Sequence, residues 1–358
     1  MISVAWFVAV HSRQTGDLVQ AMVVGSLGIS SEIGTTKLLA MFFYRHKVRK
    51  LVDLYLACDS LVTPGSRFAN NLMKKLKEVK KRAILFWMVI IGNGVVYVVK
   101  PLLLPGRHLM EDFFIIYGLE PKFETPYYEI SFLLMTAGVI FTCYLPANVS
   151  AFLIIITGYS EAQMTALSDE LRHLWSDAQQ NYKKTSNSAI DLSGSSHGST
   201  LRNRVDDKLI NEYIKQRLHE IIKIHTTNIN LVLRVESMYR GSIAAEFLLL
   251  TLGIIVELLG RLENTYIQIP FALMQVGMDC FSGQRLIDAS VAFEQAVYAC
   301  HWEKLNVSNM KTILLMLQMS QKTMRLSAGG VTTLSFHSLA AVIRIIYSGY
   351  TALRQVTM

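Results

Sequence analysis

Cysteine is scarce in this chain. Four residues in 358, Cys58, Cys143, Cys280 and Cys300, are scattered without a CxxC pair. That spacing argues against a thiolate metal site or a disulfide framework and reads as four free thiols. Charge is low as well, at 17% of residues. Catalytic signatures are missing: there is no GxSxG, P-loop, HExxH or Rossmann fingerprint, and the nine histidines give no HxxxH spacing. His219 and His225, six apart, do not stack on one helix face. The chain is read as a non-enzyme, with no metal and no cofactor expected. A signal peptide is not supported, because no basic region precedes Met1 to Val10 and no small-residue cleavage site follows it. No internal repeat is visible.

What the chain has in quantity is apolar sequence, 51% of residues, with a mean hydropathy of +0.33. Its distribution is decisive, because crossing about 30 Å of hydrocarbon takes roughly 20 helical residues. Six runs approach that length: Leu18 to Tyr44, Ala83 to Leu104, Tyr127 to Tyr159, Gly241 to Gly260, Tyr266 to Phe281 and Thr333 to Leu353. Met1 to Val10 would rise only about 15 Å and cannot cross alone. It reads as the tail of a further helix that begins before Met1. The fold class expected is all-α, a polytopic membrane bundle of seven-helix type with its first helix truncated and a cytoplasmic helical anchor.

Loop charge sets the orientation. Residues 45–82 hold eleven Lys or Arg against three acids, a net of +8, whereas residues 105–129 hold two against five, a net of −3. The first loop is therefore expected inside and the second outside, which puts the N terminus in the cytoplasm and the C terminus outside the plasma membrane. The sequence pI of about 9.2 then follows from topology, and no nucleic-acid partner is expected.

Leu209, Ile210, Tyr213, Ile214, Leu218, Ile221 and Ile222 fall at helical spacing, as do Phe68, Leu72, Leu76 and Val79, so membrane helices should extend into the cytosol and bundle there. Residues 183–200, rich in Ser, Gly and Asn, read as a mobile loop. The organisation expected is membrane spans over 1–160, cytoplasmic extensions over 161–240, two further spans over 241–284, a cytoplasmic anchor over 285–326, and a last helix with an extracellular end over 327–358. Ionisable groups inside apolar runs are costly to bury, which marks Glu32, Glu246 and Asp279 as candidates for gating or ion passage, or as groups fixing the packing.

The C-terminal third is more specific. The stretch Cys280-Phe281-Ser282-Gly283-Gln284-Arg285-Leu286, then Ala296-Val297-Tyr298 and Trp302, resembles the sixth-helix and third-cytoplasmic-loop pattern of insect odorant receptors. Ser327-Ala328-Gly329-Gly330, Leu334-Ser335-Phe336 and Tyr347 to Gln355 look like that family's seventh-helix signature. Pro126 to Ile130 opens a span, and His225 with Glu236 precedes another, as in the family. Glu246 departs from the Gln usual before Phe247, and Ala352 stands where a larger aliphatic is common.

The resemblance implies a ligand-gated non-selective cation channel, a hetero-tetramer in the lipid bilayer of an odorant-tuned subunit with a common co-receptor. Residue-by-residue comparison puts Ala352, Gln355 and Val356 near the outer pore constriction. Small volatile apolar ligands require an enclosed, mainly aromatic and aliphatic cavity, for which Tyr97, Tyr128, Phe132, Met135, Tyr266 and Phe271 are the candidates. The same stripes also suit ordinary helix packing. Rival readings are a gustatory-type receptor channel of the same superfamily, a G-protein-coupled receptor, for which DRY and NPxxY motifs are lacking, and a secondary transporter, for which repeats are lacking.

Overall fold

A computed structural model describes residues 2–60, 62–190, 199–260 and 268–357. Among the described residues eight main helices follow one another: α1 Leu18–Phe43, α2 Arg45–Ser60, α3 Arg67–Leu103, α4 Tyr127–Ile190, α5 Ser199–Leu259, α6 Gln268–Tyr298, α7 Val307–Ser320 and α8 Phe336–Thr357. A short stub precedes them. Its middle, Phe7–His11, is a π turn, and Gly16 at φ 74° ends it.

By length and composition, three of the described helices, α3, α4 and α5, can cross a membrane. The runs assigned to the other three spans lie in α1, α6 and α8, which are helical but do not meet that standard. Local signals set the starts. The Ser66 hydroxyl accepts from Ala69 N at 3.1 Å at the head of α3, and the Asn306 side chain accepts from Asn309 N at 2.9 Å at the head of α7.

At 64 residues, α4 is about 96 Å long at 1.5 Å per residue, more than three times the hydrocarbon thickness. Both apolar stripes expected to bundle beyond the membrane are packed: Phe68, Leu72 and Val79 from α3, and Ile214, Leu218 and Ile221 from α5, are buried. One expectation needs correction. Of the stretch 183–200, residues up to Ile190 continue α4 and Ser199 already begins α5. The amphipathic spacing on either side propagates the helix into a polar segment, leaving 191–198 outside the described residues.

Ion pairs tie the helix extensions together. Arg67 of α3 meets Glu170 at 2.9 Å and Asp177 at 2.5 Å on α4, and Arg217 of α5 meets the same Glu170 at 2.6 Å. Glu161 of α4 receives Arg82 of α3 at 2.6 Å and Arg285 of α6 at 2.8 Å. Two cations of the basic loop are thus bound to α4. His225, which sequence spacing assigns to packing, is buried with its ring 4.3 Å from that of Phe293, and burial pulls its pKa down to about 4. All four cysteines are free.

Before α8 the chain makes a small hairpin, β1 Ser327–Ala328 against β2 Thr332–Thr333, in register Ser327 to Thr333 and Ala328 to Thr332. Gly329 and Gly330, at φ 69° and 79°, take the left-handed backbone this turn demands. Glu236 of α5 holds it, accepting from Ser327 N at 2.8 Å and from the Ser327 hydroxyl. Gly283 of α6 lets the chain after β2 approach: a Cβ there would sit 2.4 Å from the Leu334 carbonyl oxygen. Farther along α8, Gly349 faces Ile255 of α5 within the same chain.

Candidate ligand cavity and buried ion cluster

Residues of α1, α3, α4, α5 and α6 surround a cavity of about 450 Å³, within the range of small-molecule sites. The connection between α3 and α4 supplies one wall through Met110, Glu111, Phe114 and Ile116. That connection is built from local contacts. Arg107 donates to the Phe123 carbonyl at 2.7 Å, His108 Nδ1 meets Asp112 at 2.8 Å, and Asp112 accepts from Leu109 N at 2.7 Å. The stub braces it from the other side, with Trp6 against Tyr117 at 5.2 Å and Phe7 against Phe114 at 5.9 Å between ring centroids.

Of the candidates named from sequence, Tyr97, Met135 and Phe271 line this cavity together, from α3, α4 and α6. Tyr128 and Phe132 are not among its lining residues. Tyr128 instead donates to the His108 carbonyl at 3.2 Å, lies under the Arg107 guanidinium at 5.3 Å, and has Phe132 as ring neighbour at 6.2 Å. Both therefore brace the wall. Tyr266 lies outside the described residues.

Sequence reasoning missed the polar part of the lining. Tyr97 donates its hydroxyl to Glu111, whose carboxyl is pushed above its ordinary range by burial. Glu257 of α5 and Gln275 of α6, 3% and 5% exposed, line it too, with Asn93 of α3 and Thr142 of α4. Glu257 stands three residues before the end of its apolar run, where an acid reads as interfacial. No Lys, Arg or His is among the described lining residues.

A second polar centre lies deeper. Lys37 of α1, 1% exposed, donates to Glu246 of α5 at 2.5 Å and to Ser150 of α4 at 2.6 Å. Asp279 of α6, 6% exposed, lies within electrostatic reach of both charges. Two of the three acids singled out from sequence thus share one site, and the third, Glu32, is half-buried elsewhere on α1. The cation that joins them, Lys37, interrupts the first apolar run, and the sequence does not pair it with Glu246 because the two stand 209 positions apart. Lys37 and Glu246 neutralise each other, which is what permits either to be buried.

On α8, Ala352 and Gln355 are exposed, and the side chain of Val356 falls outside the described residues. Among the described residues no group of three or more His, Cys, Asp or Glu side chains could hold a metal ion.

Long apolar helices around a cavity with few polar groups define a multi-pass membrane receptor. Residues 17–347 match the family described as 7tm Odorant receptor, and the chain belongs to that family. The odorant receptor coreceptor of Aedes aegypti is 31% identical over 85 residues, 24% of this chain and 18% of that protein. Odorant receptor 13a of Drosophila melanogaster is 25% identical over 162 residues, 39% of each. The matched segments therefore span well under two thirds of these relatives. Among solved structures, the insect olfactory receptor OR5 from Machilis hrabei in complex with eugenol superposes with a TM-score of 0.71 at 12% identity, covering 95% of this chain and 82% of that one. Another structure of that receptor gives 0.73, with 98% and 85% covered. The likeness at this identity is one of fold.

Proposed function

We propose that this chain is the odorant-tuned subunit of a ligand-gated, non-selective cation channel in the plasma membrane, assembled with the common co-receptor as a hetero-tetramer. Small volatile molecules bind in the cavity, with their apolar bodies against Tyr97, Met135 and Phe271. The observation that carries the reading is that cavity: aromatic and aliphatic walls contributed by separate helices, on a fold shared with an olfactory receptor. The N terminus is cytoplasmic and the C terminus extracellular. Four copies of α8 surround the axis, with Ala352, Gln355 and Val356 at the outer constriction, forming an apolar ring beside a ring of amides. The hairpin and α7 belong to the anchor between subunits. The test is co-expression with a co-receptor and a ligand panel, read as inward current with G-protein signalling blocked. Current that survives the block supports the channel. Current abolished by it, or no current for any ligand despite surface expression, sinks the reading.

A further inference from the structure

The cations of residues 45–82 divide into two kinds. Arg67 and Arg82 are bound to acids of α4, and Lys75 pairs with Glu78 at 2.9 Å. Arg45, Lys47, Arg49 and Lys50 at the head of α2, and Lys74, Lys77, Lys80 and Lys81 on α3, are all exposed. None of these eight forms an ion pair among the described residues, although Lys74 lies within electrostatic reach of Glu78.

What stands beside them gives the second observation. On α1 the exposed side chains Leu38, Leu39, Phe42 and Phe43 are apolar, and the exposed face turns cationic at Arg45; on α3 it is cationic up to Lys81 and turns apolar at Ile84 and Leu85. The two switches share one height. α1 runs parallel to α4, with Gly34 against Phe141 and Lys37 bonded to Ser150, whereas α3 runs antiparallel to it, with Gly94 against Cys143 and Val79 against Gly158. Counted along each helix from Lys37 and from Val79, the switches fall about two residues apart on α4, or about 3 Å at 1.5 Å per residue. From Ile84 to the end of α3 at Leu103 the helix rises about 30 Å, the thickness of hydrocarbon, with Lys100 near the far end. Rings mark the same level: the Arg45 guanidinium lies 5.8 Å from the centre of Phe42 and the Lys47 ammonium 5.1 Å from that of Tyr44. Solvation accounts for exposed lysines anywhere on the extensions, but not for two groups of four at one height on separate helices.

We propose that these two groups form a collar that binds anionic phospholipid headgroups, so that the lipid shell at this end of the bundle is enriched in anionic over zwitterionic lipid. Lipid fits better than an acidic protein segment, because the exposed apolar faces that continue both helices call for acyl chains directly beside the charges. The inference goes beyond the proposed function and does not depend on what the cavity binds. Each cation near an anionic leaflet contributes a factor of about five to the attraction, and salt screens it.

The test reconstitutes the full chain with its co-receptor in phosphatidylcholine vesicles and compares spin-labelled phosphatidylserine with spin-labelled phosphatidylcholine by electron paramagnetic resonance. The immobilised fraction of each gives their relative association with the protein. The parent is expected to prefer the serine lipid by about two-fold or more at low salt, with the preference falling as salt rises. Replacing Lys74, Lys77, Lys80 and Lys81 together by Gln should remove about half of that excess, and so should replacing Arg45, Lys47, Arg49 and Lys50 by Gln. All eight positions are exposed, and if one set fails to reach the membrane the other supplies the comparison. Lys208→Gln with Lys215→Gln, exposed farther along α5, should leave the preference unchanged. Equal association of both lipids with the parent, a preference that neither set reduces, or an equal reduction by the α5 pair overturns the proposal. A set that disrupts assembly with the co-receptor in phosphatidylcholine alone, while leaving the lipid preference as it was, assigns these cations to a protein partner and overturns it too. So does a preference abolished by inorganic phosphate at constant ionic strength, which would mark a site for free anions.

Discussion

Replacing Lys37 by Met is the sharpest test of how the bundle is held together. The substitution keeps an unbranched side chain of similar length and removes only the ammonium, so apolar packing changes little. What it leaves is Glu246 at 1% exposure and Asp279 at 6%, with Ser150 as the remaining neutral partner. Removing one member of a buried pair costs about 3–5 kcal/mol, because the surviving charge has neither water nor counter-ion. For a chain of this size that corresponds to a fall in melting midpoint on the order of 5–10 °C. Adding Glu246→Gln to the Lys37→Met protein restores the neutral amide the family usually has there and should recover most of the loss, since neutralising both partners is often nearly cost-free. Glu246→Gln alone leaves Lys37 facing Asp279 and should cost less than Lys37→Met. The assay is fluorescence-detected size exclusion of detergent-solubilised protein after heating. A Lys37→Met protein that melts within about 1 °C of the parent, or a double variant no more stable than the single one, would refute the claim that the pair's mutual neutralisation makes its burial tolerable.

Further outcomes follow from other parts of the molecule. Gly283→Ala places a Cβ where the Leu334 backbone now lies, 2.4 Å from its carbonyl oxygen, so the hairpin must move and surface expression should drop sharply; parental expression would show that the approach is not needed. Gln355→Arg should suppress cation current or alter selectivity with assembly intact, because a cationic ring repels permeating cations; unchanged conductance removes α8 from the conduction path. A tag at the C terminus should be reachable from outside intact cells and one within 185–200 should not, and the opposite labelling would defeat the orientation. Asp112 raises the pKa of half-buried His108 above its ordinary 6.5, so the stabilisation this contact gives is complete below that value and lost as pH rises through the raised one. Hydrogen exchange in residues 105–126 should therefore be slower at pH 6 than at pH 8 after correction for intrinsic rate, and His108→Gln should erase the difference; an equal difference in that variant would rule the histidine out.

How much of this was legible in the sequence depends on the range of the interaction. Apolar period and run length are local, so the stripe Phe68, Leu72, Val79 and the stripe Ile214, Leu218, Ile221 could be read as packing faces without knowing their partners. The glycine pair 329–330 announced its own turn. The motif around Gly283 was visible as a resemblance, but its reason, contact with the Leu334 backbone, is tertiary. The same divide runs through the sites. Tyr97, Met135 and Phe271 were legible as outer-half aromatic or flexible apolar positions, and Tyr128 was chosen on the same ground. Which face of α4 turns inward is set by the neighbouring helices, and Tyr128 turns toward the loop. Lys37 could have been found by asking which cation balances Glu246 and Asp279, since unpaired charge in apolar runs demands a partner. Glu257 and Gln275 carry no such signal, for each becomes informative only beside the other and Glu111.

The length of α4 gives the molecule gearing. Met135 at the cavity and Glu170 among the inter-helix ion pairs lie on the same uninterrupted helix, about 53 Å apart at 1.5 Å per residue. Over that lever arm each degree of tilt about the cavity end carries Glu170 sideways by about 1 Å. Glu170 grips Arg67 at 2.9 Å and Arg217 at 2.6 Å, and such bonds weaken steeply over an ångström of stretch. Pro146, between the two ends, lacks the N–H that would stiffen the rod, so the amplification is tuned at one residue. Were the proposed guest to tilt the cavity end of α4 by a degree, the far end would meet it as a choice between keeping and exchanging salt-bridge partners.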